Sequence, residues 1–152
     1  MTRIMSLRVC STVCILGLAM QVCANGAVIY VDADAAGANN GLSWADAYNY
    51  LQDALAEAAS AQKPVEIRVA QGTYRPDQGA GNTPGDRQAT FRLISGVTIK
   101  GGYAGFGEPD PNARDIEKYK TILTADLSGD DFDVGDPCDL LTDTSRADNR
   151  PL

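Results

Sequence analysis

Residues 65–103 read VEIRVAQGTYRPDQGAGNTPGDRQATFRLISGVTIKGGY, and one short phrase occurs in them twice. Val65-Glu66-Ile67-Arg68 and Val97-Thr98-Ile99-Lys100 each alternate apolar and polar side chains, and each runs on into glycine. Alternation built on β-branched residues predicts strand, because side chains on a strand point to opposite faces with period two. A strand phrase that recurs at a spacing of roughly 20–50 residues predicts successive coils of a solenoid ahead of two unrelated strands. With Ile67 and Ile99 inside, Arg68 and Lys100 take matching outward positions.

Upstream of the phrase, Ala27-Val28-Ile29-Tyr30-Val31 predicts a first strand, closed by Asp32-Ala33-Asp34 and a turn over Gly37-Ala38-Asn39-Asn40-Gly41. Ser43 follows as a helix N-cap, with Asp46 at the capping-box position three residues on. Trp44, Ala47, Tyr48, Leu51, Ala54, Leu55 and Ala58 share one helical face, and Asp46, Asn49, Asp53 and Glu57 share the other. The spacing predicts a helix from Trp44 to about Ala61, ended by Lys63-Pro64. Its apolar stripe is expected to cover the open end of whatever the strands build.

Downstream, Gly72-Thr73-Tyr74 is a turn followed by an aromatic, and residues 75–88 form a Pro/Gly/Asn/Asp-rich loop. Phe91-Arg92-Leu93 is expected as a short strand, Gly96 as a turn, Gly101-Gly102 as a corner and Thr121-Ile122-Leu123-Thr124 as a further strand. Tyr74 and Tyr103 follow similar glycine turns, which predicts an aromatic ladder between coils. Two-residue hairpin turns between alternating runs are missing, which argues against a sandwich. The class expected is mostly β: a capping strand and helix, then the first rungs of a parallel solenoid.

The 152 residues suffice for one domain. With 13 basic against 20 acidic residues and a net charge of −7, nucleic acid and anionic lipid are poor partners, since both are held through Lys and Arg. Histidine is absent, which removes the usual general base. Ser43, Ser60, Ser95, Ser128 and Ser145 therefore have no histidine to activate them, and a Ser-His nucleophile is excluded.

Arg3 and Arg8, the apolar run at residues 13–20 and Val22-Cys23-Ala24 predict a signal peptide over residues 1–24, cleaved after Ala24. The run is too short to span a membrane. A lipoprotein site at Cys23 is the weaker alternative, because Val22 is large for that motif. Cleavage leaves 128 residues and, by removing two arginines and no acid, moves the net charge to −9. It also removes Cys10, Cys14 and Cys23, so Cys138 remains alone without an internal disulfide partner. The expected organisation is residues 1–24 signal peptide, 25–64 capping strand and helix, 65–127 first rungs, and 128–152 an acidic, turn-rich, incomplete next rung.

Four segments together carry a resemblance: YVDADAAGANNGLSWADAYNYLQDAL (30–55), IRVAQGTYRPD (67–77), FRLISGVTIKGGYAGFGEPDPNARD (91–115) and KTILTADLSGDD (120–131). In this order they resemble the N-terminal region of secreted bacterial right-handed parallel β-helix proteins. These are members of the pectin-lyase-like superfamily, in the multi-repeat surface branch of planctomycete type. The resemblance implies that the first strand and helix cap the solenoid and that IRVAQGTY and GVTIKGGY are its first rungs. It also implies that polysaccharide-binding or cleaving groups belong to later rungs. In such proteins the segment after Ser145-Arg146-Ala147-Asp148-Asn149 continues into more rungs, and its replacement here by Arg150-Pro151-Leu152 reads as a truncation. The expectation is a non-catalytic structural part of a secreted or cell-surface protein, with extracellular polysaccharide, cell-surface components or another copy at the open solenoid end as partners. The alternatives are a fragment of a polysaccharide lyase or glycoside hydrolase, and a Ca²⁺-dependent adhesion module.

Candidate site residues are few. Asp126, Asp130, Asp131, Asp133 and Asp136 are the candidate residues for a Ca²⁺ site, since oxygen-rich loops bind this cation through several carboxylates and carbonyls. An EF-hand count from Asp126 puts Asp131 at the glycine position and Pro137 at the bidentate position, so a solvated acidic loop competes with it. The same acids as a glycosidase pair have no spacing that fixes their separation. Asp32 and Asp34 are expected to accept backbone hydrogen bonds in their turn, and Trp44 is expected in the core rather than on a sugar. Arg68 and Lys100 are weighed as uronate-binding basics against a solvated strand face.

Overall fold

A computed structural model describes residues 26–129. It is mostly strand, with one short helix. The elements in order are β1 (Ala27–Val31), α1 (Leu51–Ser60), β2 (Val65–Ala70), β3 (Gly72–Tyr74), β4 (Val97–Tyr103) and β5 (Thr121–Leu123). They form two small parallel sheets, β1-β2-β4 and β3-β5, with no closed barrel.

The repeated phrase sets the register. Val65 lies against Val97, Ile67 against Ile99 and Arg68 against Lys100, so equivalent letters of the two copies are direct neighbours. β1 extends the pattern, with Ile29 against Ile67 and Tyr30 against Arg68. In-register parallel pairing keeps each apolar position on one face, because a slip of one residue would send the whole set to the opposite face. That inner face carries Ile29, Val31, Val65, Ile67 and Val69, and Leu51, Ala54, Leu55 and Ala58 of α1 close over it. Ile67 is fully buried, a burial that contributes roughly 1.5–3 kcal/mol for a side chain of this size.

α1 starts seven residues later than the apolar periodicity predicts. Its N-cap is Tyr50, without a side-chain cap, and residues 43–50 are turns, bends and one isolated bridge. The predicted capping pair still forms, in a different setting. Ser43 Oγ accepts from the Asp46 amide at 3.1 Å and donates to Asp46 Oδ2 at 2.9 Å. It closes a turn because the backbone on either side is committed to β1, as described below. The helix end is nearly as predicted: α1 stops at Ser60, and Lys63 folds back so that its ammonium donates to the carbonyls of Ala58, Ala59 and Ala61. A cation on the last carbonyls suits the negative end of the helix dipole.

Two further expectations are corrected. Phe91-Arg92-Leu93 is not a strand: Phe91 packs against the core while Leu93 is 80% exposed, so the segment has one anchor and no ladder. Tyr74 and Tyr103 do not stack. Tyr74 ends β3, where its neighbour in the next sheet position is Leu123, whereas Tyr103 ends β4 opposite Ala70. The glycines before the two tyrosines belong to strands of different sheets, and the two rings lie in different clusters.

Candidate functional site

The two outer edges of the three-stranded sheet differ. At the β1 edge, the Tyr30 amide donates to the Gly41 carbonyl at 2.9 Å, and the Tyr48 amide donates to the Tyr30 carbonyl at 2.9 Å. The Asp32 amide donates to the Tyr48 carbonyl at 2.8 Å, and Val31 and Tyr48 form a parallel bridge. Residues 41–48 thus occupy the row of backbone groups that an edge strand otherwise presents to another chain. Gly41 makes this possible. It has φ +70°, and a Cβ there would sit 2.8 Å from the Tyr48 ring and 2.9 Å from Ile29 Cγ2. The Tyr48 hydroxyl is pushed up to about 12 by burial and by its hydrogen bond to Glu57.

At the β4 edge, residues 113–115 cover only the end of the strand. The Asp115 amide donates to the Gly102 carbonyl at 2.8 Å and the Ala104 amide to the Ala113 carbonyl at 2.9 Å. Among the described residues no strand lies beyond Val97–Lys100, and Val97 and Ile99 are only partly buried. Ile122 and Leu123 of β5 are about half exposed nearby in the chain.

The outer face of the sheet is polar and aromatic. Glu66 lies between the two basic residues of the repeat, with Oε1 2.7 Å from Arg68 Nε and Oε2 2.5 Å from Lys100 Nζ. Lys100 and then Arg68 hold its carboxyl below the usual range. Arg68 also lies over two rings, 5.9 Å from the Tyr30 centroid and 5.7 Å from that of Tyr103. Trp44 wedges beside them, 4.8 Å from Tyr30 and 5.5 Å from Tyr103, and its indole N–H donates to Asn112 Oδ1 at 3.0 Å. Trp44 is buried, as expected, but on the outer side of the sheet rather than in the core under α1. Arg68 and Lys100 point outward as predicted and are occupied with Glu66.

Asp32 is a buried staple. Its Oδ1 accepts the Asp34 amide at 3.0 Å, the turn bond expected, and its Oδ2 accepts the Phe106 amide at 2.5 Å. The second bond ties the end of β1 to the corner after β4, 74 residues away. Gly105 there has φ +85°, and a Cβ on it would collide with Asp32 Oδ2 and Ala70. Burial pushes the Asp32 carboxyl up, against the lowering effect of the two backbone donors. Asp34 itself is exposed. Nothing in the sequence marks the Phe106 contact, because it depends on where the β4 corner lands.

Of the acidic cluster, only Asp126 lies among the described residues. Its Oδ1 accepts the Gly129 amide at 2.6 Å, and its carbonyl accepts from Arg75 Nε at 2.8 Å. Asp130, Asp131, Asp133 and Asp136 lie outside them, as do the signal peptide, its Ala24 cleavage site and Cys138. Among the described residues no three His, Cys, Asp or Glu side chains converge, and no helix is long and apolar enough to cross a membrane.

A concave region lies between α1 and residues 80–95, with a volume of about 510 Å³. Periodicity places its helix wall, but the facing wall comes from a segment the sequence pattern assigns to a strand. Comparison with known proteins gives no family model, no curated protein and no solved structure that matches this chain.

Proposed function

We propose that the chain is the non-catalytic N-terminal cap and first rungs of a right-handed parallel β-helix in an exported, cell-surface or extracellular protein. The observation that carries this is the asymmetry of the sheet. Two copies of one phrase pair in parallel and in register, one outer edge is occupied by residues 41–48, and the other ends on partly covered apolar side chains. An end cap must do both things: block edge pairing on one side and offer a template on the other. The outward basic residues neutralise Glu66 instead of waiting for an anion, which favours a structural role for this face over uronate binding.

Two measurements test the proposal. An experimental structure must trace a right-handed path from β2 through β3 to β4; a left-handed path sinks the β-helix. Incubation with a panel of uronic-acid and neutral polysaccharides, with and without Ca²⁺, must leave chain length unchanged; any depolymerisation sinks the non-catalytic reading.

A further inference from the structure

We propose that the groove between α1 and residues 80–95 is a binding site for an amphiphilic carboxylate, a small acid with an aliphatic chain. One wall is a single stripe of α1: Gln52, Leu55, Ala56 and Ala59 fall at i, i+3, i+4 and i+7, sharing Leu55 with the stripe that faces the core. The two alanines leave the groove wide where longer side chains would fill it. Arg92, Leu93 and Ile94 form much of the opposite wall.

The walls are tied together by groups outside the cavity's apolar floor. The Gln52 amide donates to the carbonyls of Pro76 at 2.5 Å and Thr90 at 3.2 Å. The Ala80 amide donates to Asp53 Oδ1 at 2.8 Å. The space is therefore held open by hydrogen bonds between α1 and the loop, and its 510 Å³ falls within the range typical of small-molecule sites.

The choice of head group follows from charge. No acidic residue lines the groove, and Arg92 is its single cation. Among the described residues Arg92 has no hydrogen bond or ion pair, whereas Arg68, Lys100 and Lys63 are all engaged. A guanidinium is weakly hydrated and matches a carboxylate with two parallel N–H···O bonds, so it suits a charge held beside apolar surface. One cation balances one negative charge, which favours a monocarboxylate over a phosphate dianion. The aliphatic part then lies on Leu55, Ala56, Ala59 and Ile94.

The test uses the full chain and three eight-carbon probes, octanoate, 1-octanol and octylammonium, read by calorimetry and by backbone amide shifts. Octanoate is expected to bind saturably, at least tenfold tighter than octanol, with octylammonium weakest, and to shift the amides of Ala56, Ala59 and Ile94. Arg92→Gln should reduce octanoate affinity about tenfold and leave octanol unchanged. Ala59→Leu, on an exposed helix position that tolerates leucine, should weaken both by filling the groove. Octylammonium binding as well as octanoate, insensitivity to Arg92→Gln, or no saturable binding overturns the site. So does loss of the octanoate site with rising protein concentration as dimers form in light scattering, which assigns the groove to a second copy.

Discussion

Val65 and Ile67 of β2 and Val97 and Ile99 of β4 are the same letters in the same strand pattern, yet the first pair is 2% and 0% exposed while the second is only partly buried. The difference lies in their neighbours. β2 has a strand on both sides and α1 over its inner face, whereas among the described residues β4 has a strand on one side only. Period-two alternation decides which face a residue takes. What covers the strand decides how deeply it is buried: β1 is an edge strand like β4, yet beneath α1 its Ile29 and Val31 are buried.

The largest effect that would break this comparison is at Ile67. Ile67→Ala should cost about 3–4 kcal/mol in urea unfolding, as for a buried aliphatic truncated with little collapse. Next is the closed edge: Gly41→Ala forces a left-handed backbone on alanine and a clash with Tyr48 and Ile29, and should cost about 3 kcal/mol. The same variant should speed hydrogen exchange at Tyr30 and Asp32, whose amides lose their partners. Unchanged exchange would mean that residues 41–48 do not guard β1.

Asp32→Ala removes the acceptor of two backbone amides and should cost about 2 kcal/mol, despite freeing a buried charge. Ile99→Ala should cost about 1–2 kcal/mol, clearly less than Ile67→Ala. Equal costs would show that β4 is covered as well as β2 and would remove the open edge from the proposal.

The smallest effect concerns pH. Glu66 has its folded pKa depressed, so its contribution is present above its unfolded value and is lost as pH falls through the folded value. Asp32 has the opposite sign: its raised folded pKa means that stability declines as pH rises from its unfolded value through the folded one. Glu66→Gln should therefore flatten the loss of stability toward acid and leave the Asp32 component, with a change below about 1 kcal/mol at neutral pH. A titration of the melting temperature from pH 7 to 3 for both chains reads this difference.

The edge and the groove also differ in how visible they were. The register of β2 on β4 was legible because Val, Ile and the basic residue of the two copies coincide in one alignment, Val65 with Val97, Ile67 with Ile99 and Arg68 with Lys100. The strands at Ala27–Val31 and Thr121–Leu123 were legible as short β-branched runs bounded by turn residues. The groove was not, because its Arg92 wall carries the apolar spacing of a strand with no neighbour to pair with.

Residues 41–48 show where local pattern stops. Trp44, Ala47 and Tyr48 have helical spacing, and Ser43 with Asp46 has a capping-box spacing, so local energetics favour a longer helix. The free edge of β1 offers three backbone hydrogen bonds to this same segment, and Trp44 gains two aromatic neighbours on the outer face. Sequence by itself determined β1, β2, β4 and β5, the faces of β2 and β4, the in-register repeat and the helix end at Lys63-Pro64. Its pattern gives a turn at Gly72–Tyr74, which is β3, and a strand at Phe91-Arg92-Leu93, which is none. Only the tertiary structure decided where the helix begins, which edge is sealed, and that Asp32 reaches Phe106. Those outcomes rest on backbone groups and corners far apart in the chain, and local side-chain periodicity carries no information about them.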